Sequence, residues 1–479
     1  MTITTAQENW ARAERDKMLT AAAARDLIQP NIHQTGGAVV LLVGGEVVFS
    51  EAIGRADVAK LKPWNADTIA GMRSGSKNFT GMVVAKLVEE GLMSYDDTIG
   101  SYDIISNNFD HMPTDIKNPS NKSQIDTSLT VRHHLCHASA EAAVWEMQTS
   151  WAGQGSTGCP DKGSAAAWFA DRMCMYTGAA TNAPLDYADK STCIALLCAE
   201  EAAINGSRTV WKAQDMLQEM FAAYGLTRTY ASVRWDSRTE PSYFDTLDVV
   251  SSLSDLELNF AEGSNASLVS CNTSDPSNPY PVAADPFDYI AEYGQEPRGD
   301  LAGAGVCSTG GWNAAVGIEG WRTQGYASCY STANDLALFA SRVKKTGYYL
   351  TQQQTIDNMF DYDQAGNYWG ISKLHNGYPT DGSWGYSDNV ERYAPFWNGV
   401  YVPHKGWSLG HYIQRNARNA AGEDRYEVVA ASGAGGGGYG SRWVSVPELD
   451  IACALVLNGY GIDLELASDV MESYVQTFY

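Results

Sequence analysis

The sequence predicts an α+β fold in which helices flank an antiparallel sheet built from both ends of the chain. Three observations support this. Strand-like apolar runs occur early, at 37–53, and return after residue 425, while helical periodicity dominates residues 100–225. With 479 residues the chain has room for two to three units, and its 44% hydrophobic and 19% charged residues are ordinary for a packed globular protein.

The first elements are a hairpin and a helix. GAVVLLVGGEVVFSEAI at 37–53 places two Val- and Leu-rich runs around Gly44-Gly45, which is typical of a two-residue β-turn. A helix is predicted over 79–91, with Gly91 as its C-terminal cap. Its apolar stripe comprises Met82, Val83, Leu87 and Val88.

The rest of the chain completes the sheet around an inserted helical part. We predict a discontinuous sheet domain from 1–100 and 310–479, a helical domain over 101–229, and an insertion over 230–309 that covers the cleft as a lid. The later elements of the sheet domain are expected as a helix over 331–345, strands over 425–432, 442–447 and 451–459, and a closing helix over 464–478.

Composition restricts the partners. A net charge of -23 disfavours nucleic acid and anionic membranes, and no apolar run approaches the ~20 residues that span a bilayer. The start of the chain has no apolar signal-peptide core, so a cytoplasmic location is expected, with a secreted mature form as the alternative. The nine cysteines form no CxxC pair, so no metal and no cofactor are predicted. The oligomeric state stays open.

A candidate nucleophile lies in RSGSKNFTG at 73–81, where Ser74 and Lys77 are three residues apart at the start of the predicted helix. A serine hydroxyl needs a base within hydrogen-bond reach. Residues i and i+3 share a helix face, so Lys77 can be that base. A lysine acts so only when burial or nearby positive charge lowers its pKa from about 10.4. The alternative is a capping serine beside a solvated lysine.

Four segments in a fixed order carry a family resemblance. They are TIAGMRSGSKNFTG around Ser74, LTVRHHLCHAS at 129–139, APLDYADKSTCIALLCAEEAAING at 183–206, and YSTANDLALFA at 330–340. Together with the hairpin, they resemble the serine β-lactamase and penicillin-binding-protein superfamily. The nearest branch is class C-like, with its carboxylesterases, D-aminopeptidases and acyltransferases. The resemblance implies a β-lactamase-like fold and an acyl-enzyme on Ser74.

The same resemblance implies a role for Tyr187. It matches the tyrosine of the family's Y-x-N motif, which shares proton transfer with the lysine. The third position of that motif is Asp189 here instead of asparagine. An ionised aspartate cannot donate to a substrate carbonyl, so the departure disfavours β-lactams and peptide amides more than esters. The alternative for Tyr187 is a packed aromatic of the helical domain.

The family's third motif, K-T-G or H-x-G on the strand beside the nucleophile, has no straightforward match. Lys345-Thr346-Gly347 fits the letters but ends a predicted helix. The chain order points to 432–450, where no Lys or His lies between Ser432 and Ser441. One register uses Ser432-Gly433-Ala434. The preferred one resembles the W-G-G of esterases and uses Gly435, Gly436 and Gly437. It makes the Gly438 N–H the second oxyanion donor, with Gly435 as the alternative.

These observations predict a metal-free serine hydrolase, most simply a carboxylesterase that acts on a small-molecule ester or lactone, with an amide as the wider possibility. Acyl transfer, or amidase or β-lactamase-type hydrolysis, remains open, because all use the same acyl-enzyme. A binding protein that has lost catalysis is the alternative of another class. Two further patterns were set aside. The G-x-G-x-x-G at 433–438 runs into a strand, and the histidines at 133, 134 and 137 fall on a helix start.

Overall fold

A computed structural model supplies the three-dimensional structure. It describes residues 3–28, 36–57, 62–103, 105, 129–136, 189–231, 329–360, 396–397, 400–401, 409, 413–434, 440–457 and 464–479. Helices and strands are numbered over this part of the chain. The lid predicted over 230–309 lies outside it, apart from its first two residues.

The centre of the fold is a six-stranded sheet with the strand order β2-β1-β12-β11-β10-β9. Every neighbouring pair is antiparallel. Its strands are β1 (Gly37–Val43), β2 (Glu46–Ile53), β9 (Ile413–Arg418), β10 (Asp424–Ala434), β11 (Gly440–Val446) and β12 (Ile451–Leu457). The predicted α+β class, with a sheet built from both ends of the chain, is thus confirmed.

Short elements complete the β-structure. They are β3 (Arg55–Asp57), β4 (Lys62–Pro63), β5 (Ala70–Gly71), β6 (Tyr330–Ser331), β7 (Phe396–Trp397) and β8 (Val400–Tyr401). The pair β5–β6 matters most here, because it joins the segment before Ser74 to the segment before a later helix.

The predicted β1–β2 hairpin is present, and its turn explains why two glycines are needed. Gly44 and Gly45 have φ angles of 60° and 80°, which suit glycine and match the twist of the two strands. All seven residues of β1 are buried. A strand covered on both faces reads as a continuous apolar run, and GAVVLLV is such a run.

Eight helices are described. They are α1 (Thr5–Ile28), α2 (Ser76–Glu89), α3 (Val131–Leu135), α4 (Asp189–Asn205), α5 (Ala213–Tyr224), α6 (Ala333–Arg342), α7 (Gln353–Phe360) and α8 (Leu466–Phe478). The apolar stripe predicted α2 three residues late, while α6 is shorter than predicted. Helix α1 and strand β9 were missed. None of these helices is long and apolar enough to cross a membrane.

Helices cover both faces of the sheet. Alternate residues of β1 divide between the two faces: Val40 packs into a core shared with α2, whereas Val39 packs into a core shared with α1 and α8. Trp10 of α1 packs edge-on against Phe49 of β2 and Tyr474 of α8. Both chain ends therefore close one face, which leaves the other for the helical part and Ser74.

Helix α2 is the buried centre of that second face. It packs against α4 and α5, and eleven of its fourteen residues are buried. The ring of Phe79 makes edge-on contacts with Phe221 of α5 and Phe339 of α6, with centroids 4.9 Å away in both cases. Such packing holds the start of α2, and with it the candidate nucleophile, in one position.

Candidate active site

Ser74 and Lys77 form a buried hydrogen-bonded pair at the start of α2. Ser74 lies in a 3₁₀ turn, Arg73–Gly75, that leads directly into the helix. Lys77 Nζ donates to Ser74 Oγ at 2.9 Å. The lysine is 0% exposed and the serine 8% exposed. A solvated lysine beside a capping serine is not what the structure shows.

The residue before the serine has an unusual backbone conformation. Arg73 has φ 54°, in the left-handed region that non-glycine residues seldom adopt. Such a conformation costs on the order of 1–3 kcal/mol and persists only where the surroundings enforce it. The turn that carries Ser74 is therefore held from outside.

The β5–β6 pair supplies part of that support. The Met72 N–H donates to the Cys329 carbonyl at 2.8 Å, and the Cys329 N–H donates to Ser76 Oγ at 3.0 Å. These two bonds bracket Ser74 from both sides along the chain. They join it to a strand more than 250 positions later, which no local sequence pattern indicates.

Strand β10 approaches the serine more closely than a side chain would permit. A Cβ placed on Gly433 would lie 2.2 Å from the Met72 carbonyl oxygen. It would also lie 2.3 Å from the Gly75 nitrogen and 2.6 Å from the Ser74 nitrogen. All three are backbone atoms that cannot swing away, so glycine is the residue that fits at this point. Gly433 is the middle residue of Ser432-Gly433-Ala434, one of the two motif registers that the sequence allows.

The residue after Gly433 in β10 points its N–H away from the neighbouring strand β11. A Cβ on Gly440 would lie 3.4 Å from the Gly433 carbonyl oxygen, so that carbonyl points across to β11. Successive residues of a strand point their N–H and C=O groups to opposite sides. The Ala434 N–H therefore points away from β11. On that side, the described pairing with β9 ends at Ala430.

The other predicted site residues fall at the edge of the described chain or beyond it. Asp189 is the first residue of α4, and only its backbone is described. Tyr187 and Gly435–Gly438 lie outside the described residues. Of the predicted site residues, the structure thus brings together Ser74 and Lys77. It also places Gly433 against Ser74, and Gly433 and Ala434 belong to the register that the sequence analysis did not prefer.

Two features set aside from the sequence have structural roles. Lys345, the first residue of the K-T-G match, forms an exposed ion pair with Asp450 at 2.5 Å. His133 belongs to a capping box with Thr130, whose N–H donates to His133 Nδ1 at 3.0 Å. Within the described ranges, no group of three or more His, Cys, Asp or Glu side chains is arranged to hold a metal ion.

The segment YSTANDLALFA supports the site through buried polar contacts. Thr332 Oγ1 caps α6 by accepting from the Asp335 N–H at 3.1 Å. The Asp335 carboxylate in turn accepts from the Arg228 N–H at 2.6 Å and from Thr229 Oγ1 at 2.9 Å. Burial raises the pKa of Asp335, and these hydrogen bonds act against that rise. They tie residues 228–229 to the helix that follows β6.

Comparison with known proteins gives the same picture. Residues 24–168, which include Ser74 and Lys77, match the family described as Beta-lactamase. A 67-residue stretch is 28% identical to penicillin-binding protein 4* of Bacillus subtilis (strain 168). That stretch covers 14% of this chain and spans 15% of the length of that relative.

Solved structures match over nearly the whole chain. An octameric penicillin-binding protein homologue from Pyrococcus abyssi gives a TM-score of 0.55 at 15% identity, covering 97% of this chain and 76% of that one. The D-amino acid amidase of Ochrobactrum anthropi SV3 gives 0.51 at 16% identity, covering 96% and 97%. A β-lactamase/D-alanine carboxypeptidase from Pseudomonas syringae gives 0.51 at 15% identity, covering 99% and 100%.

At such identities the structural matches show a β-lactamase-like fold, and the family match contains the Ser74–Lys77 pair. The chain thus has a β-lactamase-like fold, and its residues 24–168 are similar to the Beta-lactamase family.

Proposed function

We propose that this protein is a serine hydrolase that works through an acyl-enzyme on Ser74, and that its substrates are small carboxylic esters or lactones. The observation that carries the proposal is the buried contact of 2.9 Å between Lys77 Nζ and Ser74 Oγ. A hydroxyl and an amine at this distance, in a setting that excludes water, are the nucleophile and base that acyl transfer requires.

In the proposed reaction, Ser74 Oγ attacks the ester carbonyl and its proton passes to the unprotonated amine of Lys77. Collapse of the tetrahedral intermediate breaks the bond to the leaving alcohol, which receives a proton through Tyr187, the role that the family resemblance implies. A water molecule then adds to the acyl-enzyme and loses a proton to the same groups. The bond to Ser74 Oγ breaks, which releases the acid and restores the hydroxyl.

The tetrahedral intermediate needs two hydrogen-bond donors for its oxyanion. We assign the first to the Ser74 N–H, at the start of α2, where the helix dipole adds positive potential. The second is the Ala434 N–H. Gly433 places β10 against Ser74, and the Ala434 N–H points away from β11. This assignment differs from Gly438 or Gly435, which the sequence suggested and which lie further along the same segment.

The side chains at the end of β10 and the start of β11 favour a substrate without a carboxylate. The segment from Ser432 to Ser441 contains no Lys or His. The next cation, Arg442, is engaged elsewhere: its Nε donates to Ser468 Oγ at 2.9 Å, and its Nη1 lies 2.7 Å from Glu465 Oε1. Both partners lie at the start of α8, on the face of the sheet opposite to Ser74. The strand therefore offers no side-chain cation for a substrate carboxylate, which supports esters over β-lactams and peptides.

The test is turnover of p-nitrophenyl butyrate by the wild type and by Ser74→Ala, with a chromogenic cephalosporin and a D-amino acid amide measured in parallel. We expect ester turnover in the wild type alone, a butyryl adduct on the peptide that contains Ser74, and weak turnover of the other two substrates. Faster cephalosporin or amide cleavage would overturn the ester assignment. Absence of any adduct on Ser74 would overturn the mechanism and indicate a binding protein on this scaffold.

Replacement of Ala434 by proline tests the second oxyanion donor. Proline removes the N–H, and Ala434 lies beyond the described pairing of β10 with β9, which ends at Ala430. We expect the rate of acylation to fall by roughly 10²–10³. The matched control is Ser432→Pro, two residues earlier on the same side of β10, which we expect to retain most of its activity. If Gly438→Pro loses activity and Ala434→Pro keeps it, the second donor is the Gly438 N–H instead.

A further inference from the structure

Ser441 is a buried hydroxyl next to the nucleophile that the proposed reaction does not use. It lies on β11, is 1% exposed, and donates from Oγ to the Met72 carbonyl at 2.8 Å. That carbonyl also accepts the Gly75 N–H at 3.1 Å. Met72 and Gly75 are the residues on either side of the Arg73–Ser74 pair, so one carbonyl links the sheet to the whole turn.

The hydroxyl is also in direct contact with the turn. A Cβ on Gly75 would lie 2.7 Å from Ser441 Oγ, so the lack of a side chain at Gly75 lets the two segments approach closely. Ser441 of β11 therefore contacts the turn at Gly75, while Gly433 of β10 contacts the backbone of Ser74 and Gly75. The two adjacent strands confine the turn from one side, and the β5–β6 pair holds its two ends.

The strained residue makes this hydrogen bond important. Arg73 has φ 54°, and relaxation of that angle would rotate the peptide between Arg73 and Ser74, which carries the Ser74 N–H. Rotation of this peptide turns the N–H away from any oxyanion. A hydrogen bond that anchors the Met72 carbonyl opposes the rotation, because it fixes the peptide that immediately precedes Arg73.

We propose that Ser441 is a positioning residue: through the Met72 carbonyl, its hydroxyl holds the strained turn so that the Ser74 N–H is aimed at the oxyanion. This inference rests on the proposed function of Ser74. Because Ser441 acts on the oxyanion donor, it contributes to the transition state more than to substrate binding. Its loss lowers kcat and leaves KM nearly unchanged.

The strand itself provides a matched control. Ser445 lies on the same strand and the same face, is 3% exposed, and donates from Oγ to the Ile451 carbonyl at 3.3 Å. Ser445→Ala therefore removes an equally buried hydroxyl that does not touch the turn. Ser441→Cys separates volume from hydrogen bonding, because a thiol fills the site but is a weak donor.

The experiment measures kcat and KM for p-nitrophenyl butyrate, the rate of labelling by an alkyl fluorophosphonate, and the affinity for a phenylboronic acid. We expect Ser441→Ala and Ser441→Cys to lose roughly 10- to 100-fold in kcat and in the labelling rate. The boronic acid forms a tetrahedral adduct on the serine, so its affinity should fall by the same factor. Ser445→Ala should match the wild type in all three measurements, with thermal unfolding followed for every variant.

Two outcomes separate the inference from the function on which it rests. If the fluorophosphonate fails to label wild-type Ser74, the proposed function fails and the inference fails with it. If the wild type is labelled and Ser441→Ala reacts equally fast, the inference alone is overturned. Recovery in Ser441→Cys, or a loss confined to the melting temperature, would likewise reduce Ser441 to a packing role.

Discussion

Replacement of Lys77 by methionine is expected to reduce acylation of Ser74 by roughly 10²–10⁴, the usual contribution of a positioned general base. Lys77 is fully buried and its Nζ lies 2.9 Å from Ser74 Oγ, so no water molecule can readily take its place. Methionine has a similar length and suits a buried site, and it carries no group that accepts the serine proton. Stopped-flow hydrolysis of p-nitrophenyl butyrate measures the loss.

The same helix offers a control for this change. Lys86 also lies on α2, but it pairs with Glu89 at 3.0 Å near the end of the helix. Lys86→Met removes an amine from the same helix without touching Ser74, and it should keep the acylation rate of the wild type. Circular dichroism establishes that both variants fold. Acylation of Lys77→Met at the wild-type rate would exclude Lys77 as the base.

Alanine at Gly433 is expected to abolish measurable acylation and to lower the melting temperature. Its Cβ would overlap the Met72 carbonyl oxygen and the nitrogens of Ser74 and Gly75, all backbone atoms. The only relief is to move β10 or the turn, and a displacement of about 1 Å near reacting groups can cost about 10²-fold in rate. Forcing an extra methyl group into a packed site costs about 1–3 kcal/mol of stability.

Gly440 supplies the comparison for this prediction. It lies on β11 opposite Ala434, and its added Cβ would meet the ends of the Leu464 and Leu457 side chains at 3.0 and 3.1 Å. Side-chain ends can shift by a few tenths of an ångström, so Gly440→Ala should keep most of the activity. Equal activity in both variants, measured together with thermal unfolding, would show that β10 does not need its close approach to Ser74.

Local patterns predicted much of the fold. The Gly44-Gly45 turn, the apolar run of β1 and the order of strands and helices follow from short-range rules, and all lie where expected. The missed elements have weak local signals. Most apolar residues of helix α1 are alanines, and its packing on the sheet rests on contacts of larger side chains such as Trp10 with Phe49 and Tyr474. The edge strand β9 has the polar sequence IQRNAR, so its pairing with β10 defines it better than its composition.

The candidate site shows where such rules end. A spacing of three residues on a helix placed Lys77 beside Ser74, because helical geometry alone decides which side chains share a face. The resemblance suggested that a strand near 432–438 would complete the site. The sequence alone did not decide which residues of this strand align with the K-T-G motif. Several consecutive glycines and small residues satisfy the motif in more than one way.

The sequence by itself therefore determined the α+β class, the sheet built from both chain ends and the Ser74–Lys77 pair, since each depends on periodicity or on neighbours within a few residues. Only the tertiary structure decided the left-handed backbone at Arg73, the contact of Gly433 with Ser74, and the hydrogen bond from Ser441 to the Met72 carbonyl. The last two contacts join segments more than 350 residues apart. Contacts of this kind hold Arg73 in its left-handed conformation. Their physical cause is the close packing of a strand against a turn, which no single segment encodes.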